Sequence, residues 1–355
     1  MKKTLWIPLV IVVLIAAWLG ASWYSGARVE AELTSGVGAI NKAWANPGMD
    51  LQLKRLSYER GLLSTHARYA LVIGELPQDQ APEIDMTIWH GPFAHSLAPR
   101  KYALYAKLVP AGAVKKMADA LMNGNPPLVI DMGCGYGGHC SGTGHIAAID
   151  FSAQQPKVQV TFGGVKMQFD VDYRSETDYQ VDSSAQLLPL KINDQDFGSG
   201  QITAAGNARS VNETLSWKTG EGESKVALAL AMARVVTNAE MAAVKPEEML
   251  DFIGKLITSV TVNVSLSKPM LIGTGARAVH VIQGTDVETA RKQVSAQFDA
   301  LLTSQPKVQE YLRAEGDTLT SDWRYADGKL SINGKDSAGT LELFKNAARQ
   351  ARMAP

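Results

Sequence analysis

The chain has 355 residues, enough for one large domain or two ordinary ones with a sizeable core. Its 35 basic and 35 acidic side chains cancel, which argues against a general nucleic-acid binder, since that would show a basic excess or stripe. Composition is that of an ordinary folded protein without a long low-complexity tract, and 31 glycines suit a chain with many hairpin turns.

The first expected element is a membrane anchor. Lys2 and Lys3 precede an uncharged, mostly apolar run from Leu5 to Tyr24. About twenty residues at a rise of about 1.5 Å span the hydrocarbon core of a bilayer. The lysines keep the N-terminus cytoplasmic, while Trp23 and Tyr24 suit the far interface. Pro8 lies in the first turns, where a missing N–H matters least. The rival reading is a cleaved signal peptide, with an apolar core of about 7–15 residues ending at an Ala-x-Ala-like site. Leu19-Gly20-Ala21 puts a bulky residue at the wrong place for that. Residues 1–26 therefore read as a cytoplasmic tip and single-pass inner-membrane anchor. No later stretch is long and uncharged enough to cross again, so the rest is expected in the periplasm.

An amphipathic helix follows over 27–48. Val29, Leu33, Val37, Ile40 and Trp44 recur at helical spacing, and Asn46-Pro47-Gly48 stops the pattern. It reads as a stalk or as a helix lying on the body.

Residues 49–355 read as the body, and strands dominate the first two hundred of them. Leu63, Thr65, Ala67, Tyr69, Leu71 and Ile73 alternate with their neighbours, as do Ile84, Met86 and Ile88, and then Tyr102, Leu104, Ala106 and Leu108. Val158, Val160 and Phe162 face Val165, Met167, Phe169 and Val171 across Gly163-Gly164, which predicts a hairpin. Val226, Leu228, Leu230 and Met232 alternate with alanines; alanine favours helix, but the period of two decides for strand. Val260, Val262, Val264 and Leu266 form another strand. Leu319, Trp323 and Tyr325, then Asp327-Gly328, then Leu330 and Ile332 predict a closing hairpin. A strand–glycine turn–strand unit thus recurs at Tyr58–Leu62, Phe162–Gly164 and Tyr325–Leu330 at irregular spacing. Helices are expected near 111–123, 246–257, 285–303 and 340–352. The fold class is mainly β with segregated helices, α+β, in an extended antiparallel body.

Val129-Ile-Asp-Met-Gly-Cys-Gly-Tyr-Gly137 resembles the first motif of methyltransferases that use S-adenosylmethionine, and Ile149-Asp150 their second strand. That fold needs a helix immediately after the glycine loop, to aim backbone N–H groups at the ligand. The next residues, Tyr136 to Gly144, hold too many glycines for one. The two acidic residues are also too close for strand, helix and return strand. A hairpin fits better, with Leu128–Gly133 and His145–Phe151 as arms. It brings Cys134 and Cys140, the only two cysteines, across its neck, where an oxidising periplasm favours a disulfide. A metal site built from Cys134, His139, Cys140 and His145 matches no common zinc spacing.

No nucleophile elbow, zinc-protease motif or phosphate loop occurs. His90-Gly91-Pro92-Phe93 reads as a strand end and turn. Glu83 and Asp85 both point outward from one strand and read as solvated. No catalytic, cofactor or metal residue is assigned, and the expectation is a non-enzymatic protein.

Several strings together resemble the YdgA/YihF-type family of Gram-negative envelope proteins, described as of unknown function. They are the Lys-Lys anchor ending in Ala21-Ser-Trp-Tyr-Ser-Gly26, Tyr58-Glu-Arg-Gly-Leu-Leu-Ser64 and His90-Gly-Pro-Phe93. Leu215-Ser-Trp-Lys218 and Arg324-Tyr-Ala-Asp-Gly-Lys-Leu-Ser-Ile-Asn-Gly334 complete the set. The resemblance implies an inner-membrane anchor and periplasmic body and transfers no catalytic residue; relatives are often longer. The strand–glycine–strand units are more loosely similar to AsmA-type envelope proteins, which implies a curled sheet with an apolar groove for lipid. Two apolar faces at 165–173 and 226–233 would suit such a groove, and would equally suit a plain sandwich core. The expected function is binding of lipid or another envelope component through the β body. The alternative is a structural or assembly factor acting by protein–protein contacts.

Overall fold

The computed structural model describes residues 6–45, 50–74, 81–90, 102–110, 112–154, 157–175, 177–237, 240, 243–245, 248–304 and 306–340. Side chains are described for these except at 6–21, 25, 43, 112–114, 157, 249–251 and 306–307. The protein is mainly antiparallel β and divides into two compact units, one of Met1–Asp150 with Gly164–Asp172, the other of Phe151–Gly163 with Tyr173–Pro355.

In the first unit one unbroken helix, α1 (Trp6–Ala45), covers both the expected anchor and the expected stalk. Among the described residues no helix is long and apolar enough to cross a membrane. The side chains of 6–21, which make up most of the apolar run, lie outside that description. Strands β1 (Leu51–Arg60), β2 (Ser64–Ile73), β3 (Glu83–His90) and β4 (Tyr102–Val109) meander antiparallel. The meander continues after helix α2 (Gly112–Leu121) through β5 (Leu128–Cys134) and β6 (His139–Ile146). The alternation read from the sequence decides the faces. Met86 lies beside Ala106 and Ile88 beside Leu104; Ala106 lies beside Ile130 and Leu104 beside Met132. One sheet face is therefore apolar across β3, β4 and β5.

After β7 (Ile149–Gln154) and β8 (Lys157–Phe162), the strand β9 (Val165–Ser175) pairs with β6, while β8 pairs with β10 (Asp178–Ile192). The expected hairpin at Gly163-Gly164 is thus corrected: these glycines pass the chain from one unit to the other. A Cβ at Gly163 would lie 2.6 Å from Leu188 Cβ, and one at Gly164, where φ is +92°, would lie 2.3 Å from the Ile146 carbonyl oxygen. The turn signal reports tight backbone approach here, and not strand reversal. The recurring strand–turn–strand unit keeps only its first and last members.

The second unit continues from β10 through β11 (Gln195–Asn207), β12 (Ser210–Thr219), β13 (Gly222–Met232), β14 (Ile257–Ser267) and β16 (Thr318–Ala326), each antiparallel to the next. The alanine-rich β13 is a strand paired on both sides. Strands β15 (Arg313–Glu315) and β17 (Lys329–Ile332) share the other edge of β16, and β18 (Lys335–Asp336) pairs with β17. Asp327 and Gly328 both have positive φ, 50° and 75°, as a two-residue type I′ turn requires.

Helices α3 (Met249–Leu256) and α5 (Val287–Ser304) match expectation. The helix expected near 340–352 lies, beyond Thr340, outside the described residues. Helices α4 (Lys268–Gln283) and α6 (Pro306–Tyr311) were not foreseen. Gly273, Gly275 and several β-branched residues obscure α4's periodicity, but its ends were legible. Ser267 accepts a hydrogen bond from the Met270 N–H as N-cap, Pro269 follows, and Gly284 closes the helix at φ 69°.

Candidate functional site: an apolar groove beneath the N-terminal helix

From Ser22 onward α1 lies on the sheet of the first unit. Ser22 is fully buried. Its carbonyl is 2.9 Å from His90 Nδ1, and His90 Nε2 is 3.3 Å from Thr65 Oγ1. A carbonyl oxygen only accepts, so the neutral ring carries its proton on Nδ1 and Nε2 accepts from the Thr65 hydroxyl. His90 is buried, and burial holds its imidazole below the usual histidine pKa against the opposing pull of the Ser22 carbonyl. Gly26 lets the ring approach, since a Cβ there would lie 2.7 Å from His90 Cε1. At the other end, Asn41 Oδ1 accepts the Leu53 N–H at 2.8 Å and Nδ2 donates to the Leu53 carbonyl at 3.0 Å. The side chain treats β1 as a further strand would. The segment read as stalk or as lying on the body is the latter.

Between these clamps the helix bridges an open apolar groove of about 430 Å³. The helix contributes Val29, Leu33, Val37 and Ile40 to it, four of the five residues whose spacing predicted the amphipathic face. The sheet contributes Leu53, Ile84, Met86, Ile88, Leu104, Ala106, Ile130 and Met132. Glu32, Tyr69 and Tyr102 are the polar-tipped side chains of its lining, and burial raises the pKa of both tyrosines, so they stay neutral. Gly36 also lines the groove, and a Cβ built on it meets nothing within 4 Å. Here the helix presents bare backbone, so the volume stays open. The volume, apolar walls and few polar groups fall within the range of pockets that take small molecules. The groove is not at 165–173 or 226–233, where the double alternation pointed.

Cys134 and Cys140 face each other in register, with sulfurs 2.05 Å apart. The hairpin is real, but its second arm is His139–Ile146 and not His145–Phe151. Ser141-Gly-Thr-Gly144 read as loop; it is strand, and Gly142 makes room for Phe169, whose Cζ would lie 2.4 Å from a Cβ. Strand, turn and strand therefore occupy the methyltransferase-like string. His139 turns away from the cysteines: its Nδ1 is 3.0 Å from Asp172 and 3.5 Å from Asp170, all three exposed. Glu83 and Asp85 lie on the sheet face opposite the groove as expected, each paired with a base, Glu83 with Arg68 and Asp85 with Lys107 at 3.4 Å. His90 ends its strand as read, but Gly91, Pro92 and Phe93 lie outside the described residues. Its clamp on Ser22, 68 positions away, had no local signal.

The family model described as "Bacterial protein of unknown function (DUF945)" matches residues 1–213 and 210–338. The protein YdgA of Escherichia coli (strain K12) is 25% identical over 186 residues, 48% of this chain. The matched segment spans about a third of that relative, 36%. The chain belongs to this bacterial family of unknown function.

Proposed function

We propose that this chain is an inner-membrane-anchored envelope protein whose periplasmic body binds, without catalysis, the acyl chain of a lipid in the groove beneath α1. One observation leads to this reading: an apolar groove of about 430 Å³ whose helical wall continues the chain's own apolar N-terminal run. Each methylene moved from water into such a groove contributes about 0.8 kcal/mol. The buried, clamped Ser22 also sharpens the anchor. The crossing segment ends near Ala21, leaving about 17 residues from Leu5, or about 25 Å of helix, near the short end of spanning length. The cross-strand cysteine pair agrees with an oxidising compartment.

The test uses the full chain in nanodiscs with a phospholipid bearing a photoreactive diazirine on its acyl chain, with adducts mapped by mass spectrometry. Adducts are expected on groove residues such as Met86, Leu104 and Met132, as well as within 6–21. Gly36→Phe, whose Cβ meets nothing within 4 Å and whose ring would occupy the groove that Gly36 lines, should abolish the groove adducts and spare those of the anchor. Adducts on the anchor alone in the unaltered chain would overturn the groove reading. A second reading, an assembly factor acting by protein contacts, draws on Ile202 and Leu215, exposed apolar side chains paired across β11 and β12. It predicts a reproducible crosslink at those positions in cells.

A further inference from the structure

Four large apolar side chains stand exposed where α1 meets the turn between β1 and β2: Trp23 at 56%, Tyr24 at 57%, Leu62 at 49% and Leu63 at 40%. Two guanidinium groups lie over their aromatic members. Arg60 Cζ is 5.2 Å from the Trp23 ring centroid and Arg28 Cζ is 5.4 Å from that of Tyr24. Among the described residues neither arginine is held in an ion pair, whereas Arg55, further along β1, reaches Glu30 at 3.9 Å. Glu59 alternates with Arg60 and so projects from the opposite face of β1.

These side chains belong to one rigid corner. The Gly61 N–H donates to the Ser64 carbonyl at 2.8 Å, and the Leu63 carbonyl accepts from the His90 N–H at 3.0 Å. The His90 ring in turn holds the Ser22 carbonyl at 2.9 Å. One residue therefore ties the turn to the helix immediately before Trp23. Rings with one wet end, paired leucines on a turn and cations on aliphatic stems are the groups that settle at a bilayer's headgroup level. Unpaired arginines at that depth attract anionic headgroups.

We propose that Trp23, Tyr24, Arg28, Arg60, Leu62 and Leu63 form a membrane-seating platform, through which the body itself rests on an anionic lipid surface. The anchor alone would tether the body by a single helix. The platform adds a second contact, which fixes how the first unit stands on the bilayer and brings the groove's own helix to the headgroup plane. This rests on the anchored reading above, and the experiment separates the two.

The full chain carrying Leu62→Cys, with Cys134 and Cys140 kept oxidised, is labelled at position 62 with an environment-sensitive fluorophore. It is placed in nanodiscs of phosphatidylcholine alone or mixed with phosphatidylglycerol, each with a lipid spin-labelled near its headgroup. Incorporation into the discs is read separately by size exclusion. The expected result is a blue-shifted label, quenched several-fold more in the anionic discs, with Arg28→Gln/Arg60→Gln removing that difference. A chain that incorporates while the label stays unquenched in both lipids overturns the platform and leaves the anchor standing. Quenching that ignores both the anionic lipid and the arginines overturns the headgroup assignment. A chain that fails to incorporate overturns anchor and platform together.

Discussion

Both units lay a helix on a sheet, and they do so in opposite ways. In the second unit α4 buries Met270, Ile272, Gly273 and Ala276. The helix comes so close that a Cβ at Gly273 would lie 1.7 Å from Glu221 Oε2. That carboxylate is held by Arg277 at 3.0 Å and by Arg291, whose pKa it raises through their hydrogen bond. In the first unit α1 is clamped at Ser22 and at Asn41, and at Gly36 between them a Cβ would meet nothing within 4 Å. Two glycines on sheet-covering helices thus mark opposite conditions, one a filled contact and the other an unfilled one. A glycine in a helix says that the backbone is bare; only the neighbour's position says whether the bareness is used.

Adding one methyl group to each should separate the two cases. Gly273→Ala should destabilise the second unit by about 2–3 kcal/mol, because the Glu221 carboxylate must shift away from the mostly buried Arg277 and from Arg291, which solvent partly screens. Gly36→Ala should stabilise α1 by about 1 kcal/mol, the helix-propensity gain with no clash against it. Urea unfolding followed by segment-resolved hydrogen exchange reads both. Equal effects of the same sign would break the contrast between the two helices.

A smaller loss is expected at the clamp. Gly26→Ala puts a methyl group 2.7 Å from His90 Cε1, so the ring must shift and its bonds to Ser22 and Thr65 weaken. The expected cost is about 1–2 kcal/mol in the docking of α1, against a propensity gain within the helix. Hydrogen exchange over 22–44 should quicken. In Gly26→Ala/His90→Ala the two effects should be less than additive, since both remove one contact. Full additivity would mean that His90 does not hold the helix.

Which of these features the sequence displays follows from whether their cause is local. The period of two decided the faces of β3 and β4 because one side of that sheet meets a helix, and the same residues then line the groove. The Asp327-Gly328 turn was legible because φ is positive at both positions, which few residue pairs allow. Gly163-Gly164 and Ser141–Gly144 misled for the converse reason. Their glycines answer to Leu188, Ile146 and Phe169, which are distant in sequence, and a turn rule sees only neighbours. The amphipathic face of α1 was visible, but the groove was not. A stripe of apolar residues predicts burial, and only the standoff at Gly36 leaves that burial incomplete. Trp23 and Tyr24 read as interfacial from the sequence, whereas Leu62, Leu63 and Arg60 are brought beside them by contacts between residues distant in the chain, the His90 clamp and the approach of Arg60 to the Trp23 ring.

The smallest effect expected is a pH dependence peculiar to the first unit. Burial lowers the His90 pKa in the folded state below the value of about 6.5 that the unfolded chain retains. Below that value the unfolded state binds more protons than the folded one, so stability rises with pH across the interval between the two pKa values. The His90 contribution is therefore fully present above about pH 6.5 and is lost as pH falls towards the folded-state value. The proton adds a donor at Nε2, facing a Thr65 hydroxyl that must then turn to accept, and it charges a ring that burial keeps from water. Acidification should accordingly loosen α1 from its sheet, measured as faster hydrogen exchange over 22–44 once the intrinsic pH dependence of exchange is removed. In His90→Gln that acid response should vanish, and α4 in the second unit should not show it. A response that survives in His90→Gln would assign the effect to another group and leave the clamp without its titration.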